Sequence, residues 1–300
     1  MAHDFSPLPW NEFFNEKRII EINDDKFTVY IKGNSGPVFL LLHGGGYSGL
    51  TWACLAEELS KKIECMIVAP DLRGHGETTT SDDENLSTEQ QIQDISAIYK
   101  QIFGEMKPPT LLIGHSMGGA LAVHLVDAKL LPNVVALAVI DVVEGSAMAS
   151  LNMMNMVLRG RPQTFNSMER AIRWCYESNA TRNIRAARVS MPSQIVLFNS
   201  HDKQIYRWRV NLTKSENHWV GWFRGISKKF LQSSPVKILI LANADRLDKE
   251  LLIGQMQGMF QYEVLPKVGH AVHEDSPTRV AEIFVTMINK YKAIFNKPWK

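Results

Sequence analysis

A pentapeptide of the form G-x-S-x-G constrains this chain more than any other feature. Gly114-His115-Ser116-Met117-Gly118 separates the apolar run Pro109-Thr110-Leu111-Leu112-Ile113 from the helix-forming stretch Gly119-Ala120-Leu121-Ala122-Val123-His124-Leu125. A buried strand that feeds directly into a helix must bend sharply, and glycine on both flanks lets the backbone do so. The bend lifts the Ser116 hydroxyl clear of the sheet edge. Chance glycine-rich turns also carry the pentapeptide; the strand before it and the helix after it make this one a candidate nucleophile elbow.

With 300 residues, 45% of them hydrophobic and 21% charged, the chain can bury a sizeable core as one α/β domain or as a domain with an insertion. A formal net charge of +2 with no long basic block gives no reason to expect a nucleic-acid or membrane partner. Cys54, Cys65 and Cys175 are odd in number and lack metal-ligand spacing, which points away from a disulfide framework or zinc site and toward a reducing, intracellular compartment, cytoplasmic or nuclear. Met1 to Trp10 holds an acid, two prolines and no apolar core, unlike a signal peptide. No apolar stretch approaches the roughly 18 residues of a membrane span, so a soluble protein is expected.

Short β-rich runs recur at Arg18–Ile22, Phe27–Ile31, Val38–Leu42, Met66–Ala69, Thr110–Ile113, Val134–Ile140, Val236–Leu241 and Glu263–Leu265. From the third onward they alternate with helical patterns, which calls for crossovers and a mostly parallel sheet covered on both faces; the first two suit an antiparallel hairpin at its edge. Eight strands in this order predict an α/β-hydrolase sheet. Ser87 with Gln90 starts one helix ahead of Ile92, Ile95, Ile98, Tyr99 and Ile102, and Ser276-Pro277 starts a closing amphipathic helix. Between Gly145 and about Ser234 the alternation stops. We read 145–234 as a lid inserted into a core made of 1–144 and 235–300. From Arg159 to Arg188 seven arginines (159, 161, 170, 173, 182, 185, 188) face two glutamates (169, 177), a local surplus of five positive charges. That is either a solvated helical face or a surface for an acidic peptide or protein.

A serine hydroxyl needs a base, and the base needs a carboxylate. On this fold the partners follow in the order Ser, Asp, His. His270, in Gly269-His270-Ala271-Val272-His273-Glu274, lies in the loop after the last strand and is preferred to His273 because Gly269 favours a tight loop there. His115 reads as a packed residue shaping the elbow. In His43-Gly44-Gly45-Gly46 the glycines let backbone N–H groups approach a substrate oxygen, so Gly45 or Gly46 together with Met117 would form an oxyanion hole, each donor being worth roughly 3 kcal/mol. The acid stays open at this point. Asp245, with Asp248 close behind, holds the position most such sheets use; Asp141, at the end of Val134–Ile140, could reach the same imidazole. Asp71, in Asp71-Leu72-Arg73-Gly74-His75-Gly76, reads as a loop-forming residue.

Taken together, these residues resemble the protein phosphatase methylesterase family of serine hydrolases. The likeness runs through Asp4-Phe5-Ser6-Pro7, Leu41 to Gly46, Gly114 to Ala120, Ile140 to Gly145, Leu158 to Pro162, Ala187 to Met191, Gly221 to Gly225, Asp245 to Lys249, Ile253 to Gly258 and Gly269 to Asp275, nearly the whole chain. The resemblance implies removal of a methyl ester from the C-terminal leucine of the protein phosphatase 2A catalytic subunit, which would be both substrate and binding partner, with no metal or organic cofactor. It assigns the acid to the Ile140-Asp141-Val142-Val143-Glu144-Gly145 motif, giving Ser116, Asp141 and His270 as catalytic residues and leaving Asp245 a structural role. Arg159, Arg161 and Trp222 are the candidate partner contacts, among nearby aromatics Trp174, Tyr176, Trp219 and Phe223. One departure is visible: relatives often carry a long acidic insertion after the Val189-Ser190-Met191 segment, and here the chain passes quickly through Pro192-Ser193-Gln194-Ile195 to Trp208. Two rival functions share the fold, a small-molecule carboxylesterase and a phosphatase-binding protein with a dispensable hydrolase site.

Overall fold

The structure, a computed structural model, describes residues 3–200, 203–244 and 247–295. The chain opens with β1 (Glu16–Ile22), β2 (Asp25–Lys32) and β3 (Val38–Leu42), followed by α1 (Ala53–Lys62), β4 (Met66–Pro70), α2 (Thr88–Phe103), β5 (Thr110–His115), α3 (Met117–Asp127) and β6 (Val134–Ile140). An inserted segment follows: α4 (Glu144–Arg159), β7 (Thr164–Phe165), α5 (Met168–Glu177), α6 (Ile184–Gln194), β8 (Ile195–Ser200), β9 (Lys203–Trp208), α7 (Glu216–Phe223) and α8 (Ile226–Gln232). The chain then completes the sheet with β10 (Val236–Leu241), α9 (Lys249–Met256), β11 (Gln261–Val264), α10 (Val272–Asp275), α11 (Pro277–Lys290) and α12 (Lys292–Phe295).

All eight expected strands form one sheet, in the order β1-β2-β4-β3-β5-β6-β10-β11. β1 and β2 make the expected hairpin, β2 runs antiparallel to β4, and the remaining pairs are parallel. The strands read as continuous apolar runs because both faces are covered, and their period of two sorts the side chains. Leu40, Leu42, Leu112, Leu137, Val139, Leu239 and Leu241 join α2, α3 and α8 in one core. Phe39, Leu41, Leu111, Ile113, Ala138, Ile140, Ile238 and Ile240 join α1 and α11 in the other. The helix starts follow the sequence signals: Ser87 Oγ accepts from Gln90 N–H at 3.3 Å, and Pro277 opens α11.

The segment between β6 and β10 is not uniform. β7, β9 and β8 form a separate antiparallel sheet, and Phe165, Ala171, Ile172, Ala187 and Met191 make a third apolar cluster that takes in Phe5 from the N-terminal strap. α7 and α8, in contrast, bury Trp219, Trp222, Phe223, Ile226 and Phe230 in the first core.

The elbow shows what the flanking glycines are for. A Cβ on Gly114 would stand 2.1 Å from the Gly118 carbonyl oxygen, and one on Gly118 would stand 2.2 Å from Leu42 O, so β5, α3 and the end of β3 meet backbone to backbone. Gly118→Ala should therefore destabilise by more than about 3 kcal/mol. Gly160→Ala, whose Cβ would meet nothing closer than 3.5 Å, should cost less than about 1 kcal/mol. Equal urea midpoints for the two variants would contradict this packing.

Candidate active site

β5 and β6 lie side by side, with His115 in register with Ile140, and the next residue of each strand turns sharply. Ser116 has φ 52°, ψ −119° and Asp141 has φ 52°, a region that costs non-glycine residues energy and persists where the surroundings impose it. The sheet ladder is what imposes it. Ser116 N–H donates to Ile140 O at 3.0 Å and Asp141 N–H donates to Ile240 O at 2.8 Å, so each residue stays anchored to the neighbouring strand while its chain leaves the sheet. Ser116 is half-buried at the N-terminus of α3.

The Asp141 side chain is 2% exposed, and its carboxylate is satisfied rather than stranded. Oδ1 accepts from Ala242 N–H at 3.0 Å and Oδ2 accepts from His270 Nδ1–H at 2.7 Å. That bond fixes the His270 tautomer with Nε2 free to accept a proton. His270 itself is exposed, its side chain retaining 48% of its accessible surface. The structure thus brings Asp141 to His270. Asp245, the alternative acid, lies outside the described residues. Asp248 caps α9, accepting from Leu251 N–H at 3.0 Å and from Ser227 Oγ at 2.6 Å.

The other histidines around the site are buried and act as spacers. His115 donates through Nε2 to His270 O at 2.9 Å, tying the elbow to the loop of His270; burial, with His270 and His273 nearby, holds its pKa well below the ordinary value. His273 is fully buried, stacks on Trp52 at 4.0 Å between ring centroids and meets Thr51 Oγ1 at 2.8 Å. Thr51 gives its proton to Glu274 Oε1 at 2.6 Å, so His273 Nε2 is the donor to Thr51. His273 thus belongs to the core, whereas His270 is exposed.

Two further histidines build the glycine loop. His43 donates through Nδ1 to Gly44 O at 2.8 Å and accepts at Nε2 from Leu72 N–H at 2.9 Å. His75 donates through Nδ1 to Arg73 O at 2.8 Å and accepts at Nε2 from Gly46 N–H at 2.9 Å. Each pattern requires a neutral ring, and burial lowers both pKa values, that of His75 to about 4. Gly46 N–H is therefore spent. Gly45 N–H has no partner among the described residues, and Met117 N–H belongs to the first turn of α3, where amides lack intrahelical acceptors. Asp71 anchors the same region, its Oδ1 accepting from Gly49 N–H at 2.7 Å and its Oδ2 from Glu77 N–H at 2.8 Å; burial pushes its carboxyl up to about 7.

The candidate partner contacts divide. Trp222 is 2% exposed and donates Nε1–H to Leu86 O at 2.6 Å. It is a core residue, and the expectation of a partner contact there is corrected: an indole whose one donor is satisfied inside the core has nothing left to offer a partner. Trp219 is buried likewise, bonded to Ser215 Oγ at 2.8 Å. The arginine surplus does not form one surface. Arg188 binds Ser6 and Asp4 of the N-terminal strap, Arg185 pairs with Glu57, and Arg173 lies over the Phe5 ring and beside Glu177. Arg159 is exposed, while Arg161 is half-buried with its guanidinium 4.2 Å over the Trp208 ring. Among the described residues no cluster of three or more His, Cys, Asp or Glu is placed to hold a metal ion.

His115 is the packed residue at the elbow that its sequence position suggests, but its bond to His270 O and the role of His75 escape sequence reading because the partners are backbone atoms of distant segments. The only signal was the histidine beside glycine in each motif. His75 gives a test. Its folded pKa of about 4 lies below the unfolded value near 6.5, so between those values the unfolded chain binds one more proton and stability falls as pH falls. His75→Phe should make that slope shallower by up to about 1.4 kcal/mol per pH unit, and should cut kcat by at least about tenfold as the glycine loop loses its acceptor. An unchanged slope in urea unfolding at pH 4.5–6.5 would show that His75 is already protonated in the folded state.

Comparison with known proteins agrees with this architecture. A model of the alpha/beta hydrolase family matches residues 39–283. The "Probable protein phosphatase methylesterase 1" of Caenorhabditis elegans is 58% identical over 280 residues, covering 93% of this chain and 76% of that protein. The human "Protein phosphatase methylesterase 1" is 43% identical, covering 96% of this chain and 86% of its own. Among solved structures, E-2-(acetamidomethylene)succinate hydrolase superposes with a TM-score of 0.72 over 91% of this chain and 99% of its own, at 18% identity, a likeness of fold alone. With its elbow, its strand-end carboxylate and these relatives, the chain belongs to the protein phosphatase methylesterase family, carboxylic ester hydrolases built on the α/β-hydrolase fold.

Proposed function

We propose that the chain hydrolyses the methyl ester on the C-terminal leucine of the protein phosphatase 2A catalytic subunit, with Ser116 as nucleophile, His270 as general base and Asp141 as the acid that orients it. The observation that carries this reading is the 2.7 Å bond from His270 Nδ1–H to Asp141 Oδ2, beside a serine on a strained elbow. His270 Nε2 takes the Ser116 proton as the oxygen attacks the ester carbonyl, and Gly45 and Met117 N–H hold the oxyanion. Methoxide is a poor leaving group, so the imidazolium returns its proton as methanol departs. Water, deprotonated by the same imidazole, then attacks the acyl-serine and frees the carboxylate.

Residues 145–234 serve as the lid in this reading, with the β7–β9 sheet as its separate layer and α7 and α8 as its anchor in the core. No helix among the described residues is long and apolar enough to cross a membrane, and the three buried free cysteines suit the reducing interior of the cytoplasm or nucleus.

The reaction is tested by methanol release from a methylated phosphatase 2A catalytic subunit. Ser116→Ala should abolish release, a fall of at least about three orders of magnitude, and should still co-precipitate the phosphatase, since the serine supplies little contact area. Turnover of short nitrophenyl esters without any demethylation would instead assign the site to small esters.

A further inference from the structure

A cavity of about 780 Å³ opens beside the glycine loop, and the proposed reaction leaves its charge unused. Its walls come from the loop after β4 and from the inserted segment, and Arg159, Arg161, Arg207, Arg209 and Lys214 all line it. Two carboxylates share the lining. Glu84 is already paired with Lys214, and Asp83 accepts from Thr80 N–H and Oγ1 at 2.9 and 2.7 Å. None of the four arginines forms a salt bridge with a carboxylate among the described residues, and Arg209 alone has one, Asp71, within electrostatic reach. Arg161 Nε and Arg209 Nε are buried and have no hydrogen-bond partner among the described residues. A buried guanidinium N–H without a partner is costly, and both residues also line the cavity, with an Arg161 terminal nitrogen beside the glycine loop. Burial also lowers the Arg161 pKa, the mark of a cation that lacks its counter-charge.

The cavity adjoins the chemistry. Leu212, on its wall, lies 3.5 Å from where a Cβ on Gly45 would stand, and an Arg161 terminal nitrogen lies 3.9 Å from the same point on Gly46. A methyl ester loses only methanol, so a space of this size next to the oxyanion donors has no leaving group to hold and must receive the acyl side, the peptide itself. At roughly 3.4 Å per extended residue, a cavity about 11 Å across spans some three residues.

We propose that this cavity is a subsite for anionic side chains in the few residues preceding the esterified one, gripped by Arg161 and Arg209 and surrounded by Arg159 and Arg207. The inference rests on the methylesterase reading for the identity of the occupant as a peptide tail. Carboxylate and phosphoryl groups share the needed chemistry, since both accept forked guanidinium bonds.

The test uses the full chain carrying Ser116→Ala and labelled hexapeptides ending in leucine methyl ester, identical except for Asn, Asp or phosphoserine in the three residues before the leucine. By fluorescence anisotropy at low ionic strength, Asp and phosphoserine peptides should bind at least about tenfold more tightly than the Asn peptide. If phosphoserine exceeds Asp the site prefers phosphorylated tails, and the reverse order makes it a site for acidic ones. Arg161→Gln should bring the ratio close to one. Because the ratio is read within one variant, and Arg209→Gln provides an independent route to the same loss, a misfolded variant is not mistaken for lost selectivity. Equal affinities for all three peptides, or a charge preference that survives both substitutions, overturns the subsite. The active chain with the same peptides separates the two claims: charge-selective binding without methanol release refutes the proposed reaction and leaves the subsite standing.

Discussion

Everything at this site is arranged around a carboxylate held out of water. Asp141 is almost fully buried, and in that setting an ionised group must be bonded at each oxygen. Ala242 N–H satisfies one oxygen and His270 Nδ1–H the other. The arrangement depends on strand order: because β6 lies between β5 and β10, its first residue past the sheet can accept from the loop after β10 while its neighbour past the end of β5 is Ser116. Both residues share the same positive φ and the same kind of anchoring bond to the next strand. Ser116 and Asp141 are thus one structural device used twice on adjacent strands, which suits the roles of nucleophile and acid proposed for them.

A second principle is the division of labour among histidines. His43, His75, His115 and His273 are buried, and burial drives each pKa down. A neutral imidazole donates at one nitrogen and can accept at the other, so it can bridge two backbone groups at a fixed distance. His43 and His75 do this beneath the glycine loop, and His115 ties the elbow to the loop of His270. The remaining member of the group, His270, is exposed and faces a carboxylate. The result is a rigid frame around one solvent-facing imidazole, which is the condition for a preorganised site.

The main sheet was readable because its strands are apolar on both faces and separated by glycine, proline and helical periodicity. Val134–Ile140 and Val236–Leu241 have no other plausible use. The inserted segment was harder: Ile195–Ser200 and Lys203–Trp208 pair in a small sheet that leaves Leu197 and Phe198 exposed, so no burial pattern marks it. The acid was not decidable from spacing, since Asp141 and Asp245 both follow strands; family likeness pointed to Asp141, and the hydrogen bond to His270 lies there. Trp222 misled because an aromatic beside a basic segment reads the same whether it faces a partner or the core. The arginine surplus misled in part for a related reason: linear density says nothing about direction, and Arg173, Arg185 and Arg188 turn back onto the protein itself.

The central claim is that the strand-end carboxylate before the insertion orients the base. It is tested most directly by comparing steady-state methanol release by Asp141→Asn and Asp245→Asn on the same methylated substrate. The account predicts a fall of about three to four orders of magnitude in kcat for Asp141→Asn, through loss of the acceptor that holds the His270 tautomer, and near-normal turnover for Asp245→Asn. The opposite pattern, with Asp245→Asn inactive and Asp141→Asn active, would contradict it.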